Sequence, residues 1–312
     1  MFLAIAGVVL GIIALVWCAD KLVAAAVQLA RYWRIRPWVV GVTVVAFGTS
    51  LPEFVVNIAS AITNHPDLAI GTIVGSNVIN VLFIIGCLII IHPAVLRSGR
   101  NYVELIFMFI VALVSSSLFW YGDGLSRVDG LILLVIFSIY ALYLFKKHPS
   151  LDDTPSSEPI RFWRVSRNFL FALVGLAVAG HITTQAAVQL AELAGLSQAL
   201  ISLTVISFGT SLPEFATSVV AAWRKQAALS LGNIVGSFTL NIVIVLGVTS
   251  LVQPLVYNHI FDRDVYAMIG AVVLLGLVVV LEQWTPLRRS LSAVLLGAFV
   301  FYMVSVVNAH LY

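Results

Sequence analysis

Residues 47–54 read FGTSLPEF, and residues 208–215 read FGTSLPEF again. The copies stand 161 residues apart (208 minus 47), and each sets a Gly, a Pro and a carboxylate inside a long apolar stretch. A carboxylate at membrane depth costs on the order of 3 kcal/mol unless it is paired or coordinated. Two identical strings carrying such a cost mark an internal duplication that uses those residues.

The surroundings are membrane-like. Of the 312 residues, 61% are hydrophobic and 10% charged, with a mean hydropathy of +1.06; soluble domains carry about a quarter charged residues. A helix crossing a bilayer needs about 20 mostly apolar residues. Ten segments qualify: about 2–30, 37–62, 67–92, 102–121, 126–146, 166–191, 198–223, 228–254, 263–282 and 289–310. The composition predicts an all-α polytopic membrane protein, because helices satisfy their backbone hydrogen bonds within lipid. The first segment continues straight into the fold and lacks the small-residue cleavage pattern of a signal peptide. Cys18 and Cys87 lie in apolar segments and read as packing residues, not as a disulfide or metal pair.

Basic residues cluster in every second connection: Arg31, Arg34 and Arg36; Arg97 and Arg100; Lys146, Lys147, Arg161, Arg164 and Arg167; Arg224 and Lys225; Arg288 and Arg289. That accounts for 14 of the 17. The positive-inside rule makes those loops cytoplasmic and turns both termini outward. The same clusters serve topology, so nothing points to nucleic acid. Residues 148–165, with Pro149, Pro155 and Pro159 among acids and serines, read as a cytoplasmic linker between halves 1–147 and 166–312.

The 161-residue shift aligns more than the octapeptide. GTIVGSNVINVLFIIG (71–86) falls on GNIVGSFTLNIVIVLG (232–247), and Glu53 to Asn80 spans the same distance as Glu214 to Asn241. The duplicated blocks are 41–86 and 202–247. A five-segment unit is odd, so its two copies enter the membrane from opposite sides. The sequence therefore predicts ten transmembrane helices as two inverted five-helix repeats, an arrangement associated with secondary transporters and a midplane site between the repeats.

Pro52 and Pro213 lack an amide hydrogen and leave a carbonyl one turn earlier unpaired, near Gly48 and Gly209, so a kink or break is expected there. Thr49 and Ser50, and likewise Thr210 and Ser211, precede their Glu by four and three residues, which in one continuous helix puts them on the carboxylate's face. Ser76 and Asn80 are four apart, as are Ser237 and Asn241. Gly75 and Gly236 suit close helix approach. The sum is an oxygen-rich cage of two carboxylates, amides, hydroxyls and loosened carbonyls, which suits hard cations such as Na⁺ and Ca²⁺. The matching positions hold no Cys or His, which disfavours zinc and soft metals. Two negative charges balance one Ca²⁺.

GTSLPE followed by GSN-x-x-N in the first half and by GSF-x-x-N in the second resembles the α-repeats of the sodium/calcium exchanger and cation/Ca²⁺ antiporter superfamily, and within it a bacterial calcium/sodium antiporter branch. The resemblance covers nearly the whole chain. It implies ten helices with outward termini in the bacterial inner membrane, exchange of Ca²⁺ for Na⁺, no cofactor and no enzymatic activity. It implies ion ligands at Thr49, Ser50, Glu53, Ser76 and Asn80, at Thr210, Ser211, Glu214, Ser237 and Asn241, and at the carbonyls of Ala46 and Ser207. It further implies that the long first and sixth helices slide across the core. Partners are then the two ions and the bilayer, with the protein a monomer or a weak homo-oligomer. Many members carry Asp where this chain has Asn241; with Asn at both 80 and 241, the site holds two fewer possible charges than an all-carboxylate version, leaving H⁺-coupled antiport of Ca²⁺ or another divalent cation as the alternative.

Other polar residues have plainer readings. Asp20 and Lys21 are near-interface residues, with Lys21 reaching toward the cytoplasm. His181, which aligns with Asp20, is expected to be packed and neutral. Glu104 and Glu192 are expected to be solvated at helix ends, as are Asp67, Asp123, Asp129, Asp262 and Asp264 in outer loops. No GxxxxGK[ST] string is present, which argues against an ATP-driven pump. A channel and an intramembrane acid–base enzyme fit less well: inverted repeats supply no pore axis along the membrane normal, and no nucleophile accompanies the two Glu.

Overall fold

The computed structural model describes residues 1–93, 95–98, 102–122, 124–147, 161–196, 201–281 and 288–311. The predicted linker, 148–165, lies outside them through residue 160, and its last residues, 162–165, belong to the helix that follows. The described chain is almost entirely helical: α1 Phe2–Trp33, α2 Pro37–Thr49, α3 Leu51–Ile62, α4 Pro66–Ile91, α5 Tyr102–Tyr121, α6 Arg127–Lys147, α7 Phe162–Leu193, α8 over 201–210, α9 Leu212–Trp223, α10 Ala227–Val252, α11 Asp262–Leu281 and α12 Arg288–Leu311. Two-residue strands, Gly124–Leu125 and Leu255–Val256, pair antiparallel across the ends of α5 and α10.

Among the described residues eight helices are long and apolar enough to cross a membrane, or nine when α2 and α3 count as one bent span. The expected segment at 198–223 begins outside the described residues; its described part is α8 and α9. The segment expected at 37–62 is broken, as its proline foretold. α2 and α3 meet at 46°. Ser50, between them, has φ −82° and ψ 7°, and Pro52 sits in the first turn of α3, where its missing N–H costs nothing. Ser211 repeats this break with φ −86° and ψ 2°.

Local geometry recurs elsewhere at the same shift. The helices widen into π-turns at Gly41–Val45 and Ile79–Ile84, and again at Ile201–Ile206 and Asn241–Leu246. Such turns are rare and concentrate at functional sites. After α3 and α9 the chain reverses through left-handed Asn64 and Lys225, each closed by a 2.8 Å backbone bond, His65 to Ser60 and Gln226 to Ala221. The wide turns had no signal in hydrophobic pattern.

Two helices sit at the centre. The apolar windows of α4 and α10 are 78% and 83% buried, against 22–44% for the other long helices, so the rest form their sheath. Packing divides into two apolar clusters. The larger joins Trp38, Ile73, Phe119, Phe238 and Leu275; the smaller centres on α1 and α7 through Leu15, Leu22, Leu29, Leu173 and Leu176 and takes in Val40 and Val45 of α2 and Ala216 and Val220 of α9. Thus α1 and α7 pack on each other and rest on α2 and α9.

Three readings of single polar residues are corrected. Glu104 is buried beside Tyr140, not solvated, because α6 covers the start of α5. His181 is exposed, not packed, since it lies on the outward face of α7. Asp262 accepts from Trp120 Nε1 and Tyr257 Oη at 2.8 Å each, so this outer-loop acid ties α5 to α11. Glu192 is exposed as expected. Both cysteines are free.

Candidate ion-binding site

The two helix breaks cross at the centre, flanked by α4 and α10. Glu53 and Glu214, one from each octapeptide, are both fully enclosed and close enough to interact electrostatically. Each begins the helix that follows its break, where the N-terminal dipole favours negative charge.

The hydroxyls do not serve the carboxylate of their own helix. Because the chain bends at Ser50 and Ser211, each break turns its hydroxyls toward the other repeat. Ser50 Oγ donates to Glu214 Oε1 at 3.0 Å. Thr49 Oγ1 lies 3.5 Å from Ser237 Oγ and 3.2 Å from Asn233 Oδ1. Thr210 approaches Glu53 in turn. Asn241 Nδ2 reaches Ser76 Oγ at 3.4 Å and Asn77 Oδ1 at 3.3 Å. The break therefore replaces the single-helix face expected above with a site in which each half completes the other.

The remaining candidates are placed as follows. Asn80 lies in the wide turn of α4 and Asn241 opens that of α10, both buried. The Ala46 carbonyl accepts from Ser50 N at 3.0 Å and from Thr49 Oγ1 at 3.3 Å. The Ser207 carbonyl accepts from Thr210 Oγ1 at 3.2 Å. Both carbonyls thus face the breaks while holding internal bonds.

What the cluster lacks is positive charge. Glu53 Oε2, Glu214 Oε2, Asn80 Oδ1, Asn241 Oδ1 and Ser211 Oγ are buried and accept from no protein donor. A buried acceptor without a partner costs about 1–3 kcal/mol, more when charged. Five such oxygens around two facing carboxylates form a donor set for a hard cation and a poor one for a packed core. Among the described residues no group of three His, Cys, Asp or Glu gathers, so the charge comes from two carboxylates alone and neutral oxygens complete the set.

Three residues escaped the sequence reading. Asn57 Nδ2 donates to the Glu53 carbonyl at 2.9 Å. Asn233 Nδ2 donates to Ser218 Oγ at 2.9 Å and to the Glu214 carbonyl at 3.4 Å. Asn77 bridges to Asn241 and to the Phe238 carbonyl. Their repeat partners are Ser218, Thr72 and Phe238, so duplication could not flag them; polarity at membrane depth was the available signal. The consequence is testable. Ser50→Ala removes a bond to a carboxylate, whereas Ser211→Ala removes an unpaired hydroxyl. In ion-free buffer the first is expected to lower the unfolding temperature and the second to leave it nearly unchanged, a gap of about 1.5–3 kcal/mol readable by thermal denaturation.

The two copies also differ in setting. Val45, Ala46 and Thr49 are buried, while their counterparts Ile206, Ser207 and Thr210 are exposed or half-exposed. A Cβ on Gly236 would collide with the Val42 carbonyl and stand 2.6 Å from Ala46 Cβ; a Cβ on Gly75 would meet nothing within 4 Å. Only the second of the two glycines makes the close crossing expected of both.

Comparison with known proteins identifies the family. The profile of the family described as "Sodium/calcium exchanger protein" matches residues 3–146 and again 168–308. The chain belongs to the sodium/calcium exchanger family. Among its relatives, "Inner membrane protein YrbG" of Escherichia coli (strain K12) is 33% identical over 97% of this chain and 96% of its own. "Putative antiporter CaxA" of Alkalimonas amylolytica is 33% identical over 97% and 98%. A solved structure of the sodium-calcium exchanger NCX_Mj, soaked with 2.5 mM Na⁺ and 0.1 mM Ca²⁺, aligns at a TM-score of 0.79 with 26% identity, covering 98% of this chain and 99% of that one. This exchanger chain is thus a multi-pass, all-helical membrane antiporter, in a family of transporters and not of enzymes.

Proposed function

We propose that the protein is a secondary antiporter that exchanges Ca²⁺ for Na⁺ across the bacterial inner membrane, by alternating access to the site between Glu53 and Glu214. The observation that carries this reading is the cluster of buried, donor-free oxygens on Glu53, Glu214, Asn80, Asn241 and Ser211. Ca²⁺ takes six to eight oxygens at about 2.3–2.6 Å and two carboxylates neutralise it. Thr49, Ser50, Ser76, Thr210 and Ser237, with the carbonyls of Ala46 and Ser207, supply neutral oxygens for Na⁺ in other groupings.

The architecture in this reading is ten helices in two inverted repeats, 1–147 and 166–312, joined by 148–165, with both termini outside. The unequal settings of the two copies support alternating access. Around Gly236 and Val42, toward the basic loops, the helices pack too closely for a Cβ; at Gly75, on the opposite side, a Cβ would meet nothing within 4 Å. An inverted repeat interconverts two facings by exchanging the roles of its halves.

Coupling to H⁺ is the second reading, favoured by one feature: with amides at 80 and 241 the site has only two titratable groups, each able to carry a proton. Radiolabelled Ca²⁺ uptake into proteoliposomes decides between them. Uptake driven by an imposed Na⁺ gradient and indifferent to a pH gradient is the expected result; the reverse establishes the H⁺ reading.

A further inference from the structure

The cytoplasmic halves of α1 and α7 enclose a cleft of about 480 Å³, lined by Trp17, Lys21, Gln28, Asn168 and Phe171 among others. On α1 the residues 17, 21, 24 and 28 recur at helical spacing along one stripe, which Arg31 extends. On α7 the stripe is Arg164, Asn168 and Phe171. The stacked rings of Tyr32 and Phe162, 4.8 Å apart, close the end toward the basic loops. Lys21, Gln28 and Asn168 all lie exposed.

Lys21 has no ion pair among the described residues. Its neighbour Asp20 is engaged by Arg224, and its ammonium stands 5.8 Å from the Trp17 ring. The charge here is wholly one-sided. Residues 21–36 and 161–180 contain seven Lys or Arg and no acid.

The repeat supplies an internal control. Shifted by 161, the same groove at the other end of the helix pair replaces Lys21 by Ile182, Arg164 by Leu3, Asn168 by Gly7 and Arg31 by Glu192, while Gln28 recurs as Gln189. Helix packing alone requires a groove at both ends; it does not require cations at one. Anionic lipid gives the cytoplasmic leaflet a negative surface that attracts such clusters, by about 1 kcal/mol per Lys or Arg.

We propose that this cleft binds an anionic glycerophospholipid of the cytoplasmic leaflet. Its phosphate meets Lys21, with the amides of Gln28 and Asn168 as further donors. Its acyl chain runs over Trp17 and Phe171 toward the midplane. The site lies between α1 and α7, and none of its lining residues belongs to the Glu53–Glu214 centre.

The test uses the full-length protein in nanodiscs of phosphatidylcholine mixed with phosphatidylglycerol, released into native mass spectrometry. Wild type is expected to retain phosphatidylglycerol in preference to phosphatidylcholine. Lys21→Met is expected to cut that retention about fivefold, the equivalent of one lost cation, and Arg263→Gln, remote from the cleft, to leave it unchanged. Equal retention of the two lipids by wild type, or full retention by Lys21→Met, overturns the proposal. If Lys21→Met fails to fold, Asn168→Leu takes its place with the same expected direction.

Discussion

Glu53→Gln and Glu214→Gln are each expected to reduce Ca²⁺ exchange by at least about 100-fold, at the upper end of what loss of a metal-site group costs. The substitution keeps shape and removes charge. At Glu214 a glutamine can still accept from Ser50, so the 3.0 Å contact that ties the repeats together survives. What disappears is half of the negative charge that offsets the dehydration of a divalent ion. The protein itself gains from the change, because an uncompensated buried carboxylate is costly. The expected signature is therefore two-sided: the variant unfolds at the same or higher temperature in ion-free buffer, yet no longer gains stability as Ca²⁺ is added. Binding stabilises a folded state by RT ln(1 + [L]/Kd), so the slope of that gain reads affinity without a flux assay. Preserved Ca²⁺-dependent stabilisation in both variants rules out the carboxylates as ligands.

The second large effect concerns glycines that the sequence presents as equals. Gly236→Ala drives a methyl group into the Val42 carbonyl and to 2.6 Å from Ala46 Cβ, where α10 crosses α2. Backbone on one side and a helix on the other leave little room to relax, and overpacking of this kind costs about 1–3 kcal/mol. Gly75→Ala meets open space and replaces a poor helix former by the best one, so it is expected to be neutral or slightly stabilising. Transport separates the pair differently. If the halves exchange roles during the cycle, Gly75 becomes the crowded position in the opposite facing, and Gly75→Ala stalls turnover in a protein of normal stability. Thermal unfolding beside proteoliposome flux measures both. Full transport by Gly75→Ala contradicts an exchange of roles.

The contrast shows how far the residues alone reached. Glu53 and Glu214 were legible because duplication and the expense of membrane carboxylates point the same way. The breaks were legible because proline cannot donate, and Ser50 and Ser211 fall where Pro52 and Pro213 require. The pairing of Thr49 and Ser50 with the opposite half was not, since helical spacing describes only neighbours in one helix and the break cancels that geometry. Asn57, Asn77 and Asn233 carry no repeat signature. Their role as braces, holding the Glu53 and Glu214 carbonyls and Asn241, emerges only from packing. Identical strings also cannot say which copy is enclosed; Ala46 and Ser207 differ in exposure through the arrangement of whole helices. Glu104 and His181 were misjudged for the same reason, as the cover over one polar residue comes from elements far away in sequence.

The contact between Asp20 on α1 and Arg224 after α9 has no equivalent at the mirrored place, where His181 and Thr63 stand. Half-exposed pairs of this type contribute at most about 1 kcal/mol, a tilt of no more than about fivefold between two populations. If the carrier cycles as proposed, near-twin halves are thereby spared perfect evenness at rest: this latch tilts the empty molecule by no more than that small factor, and arriving ions, not the latch, set the pace.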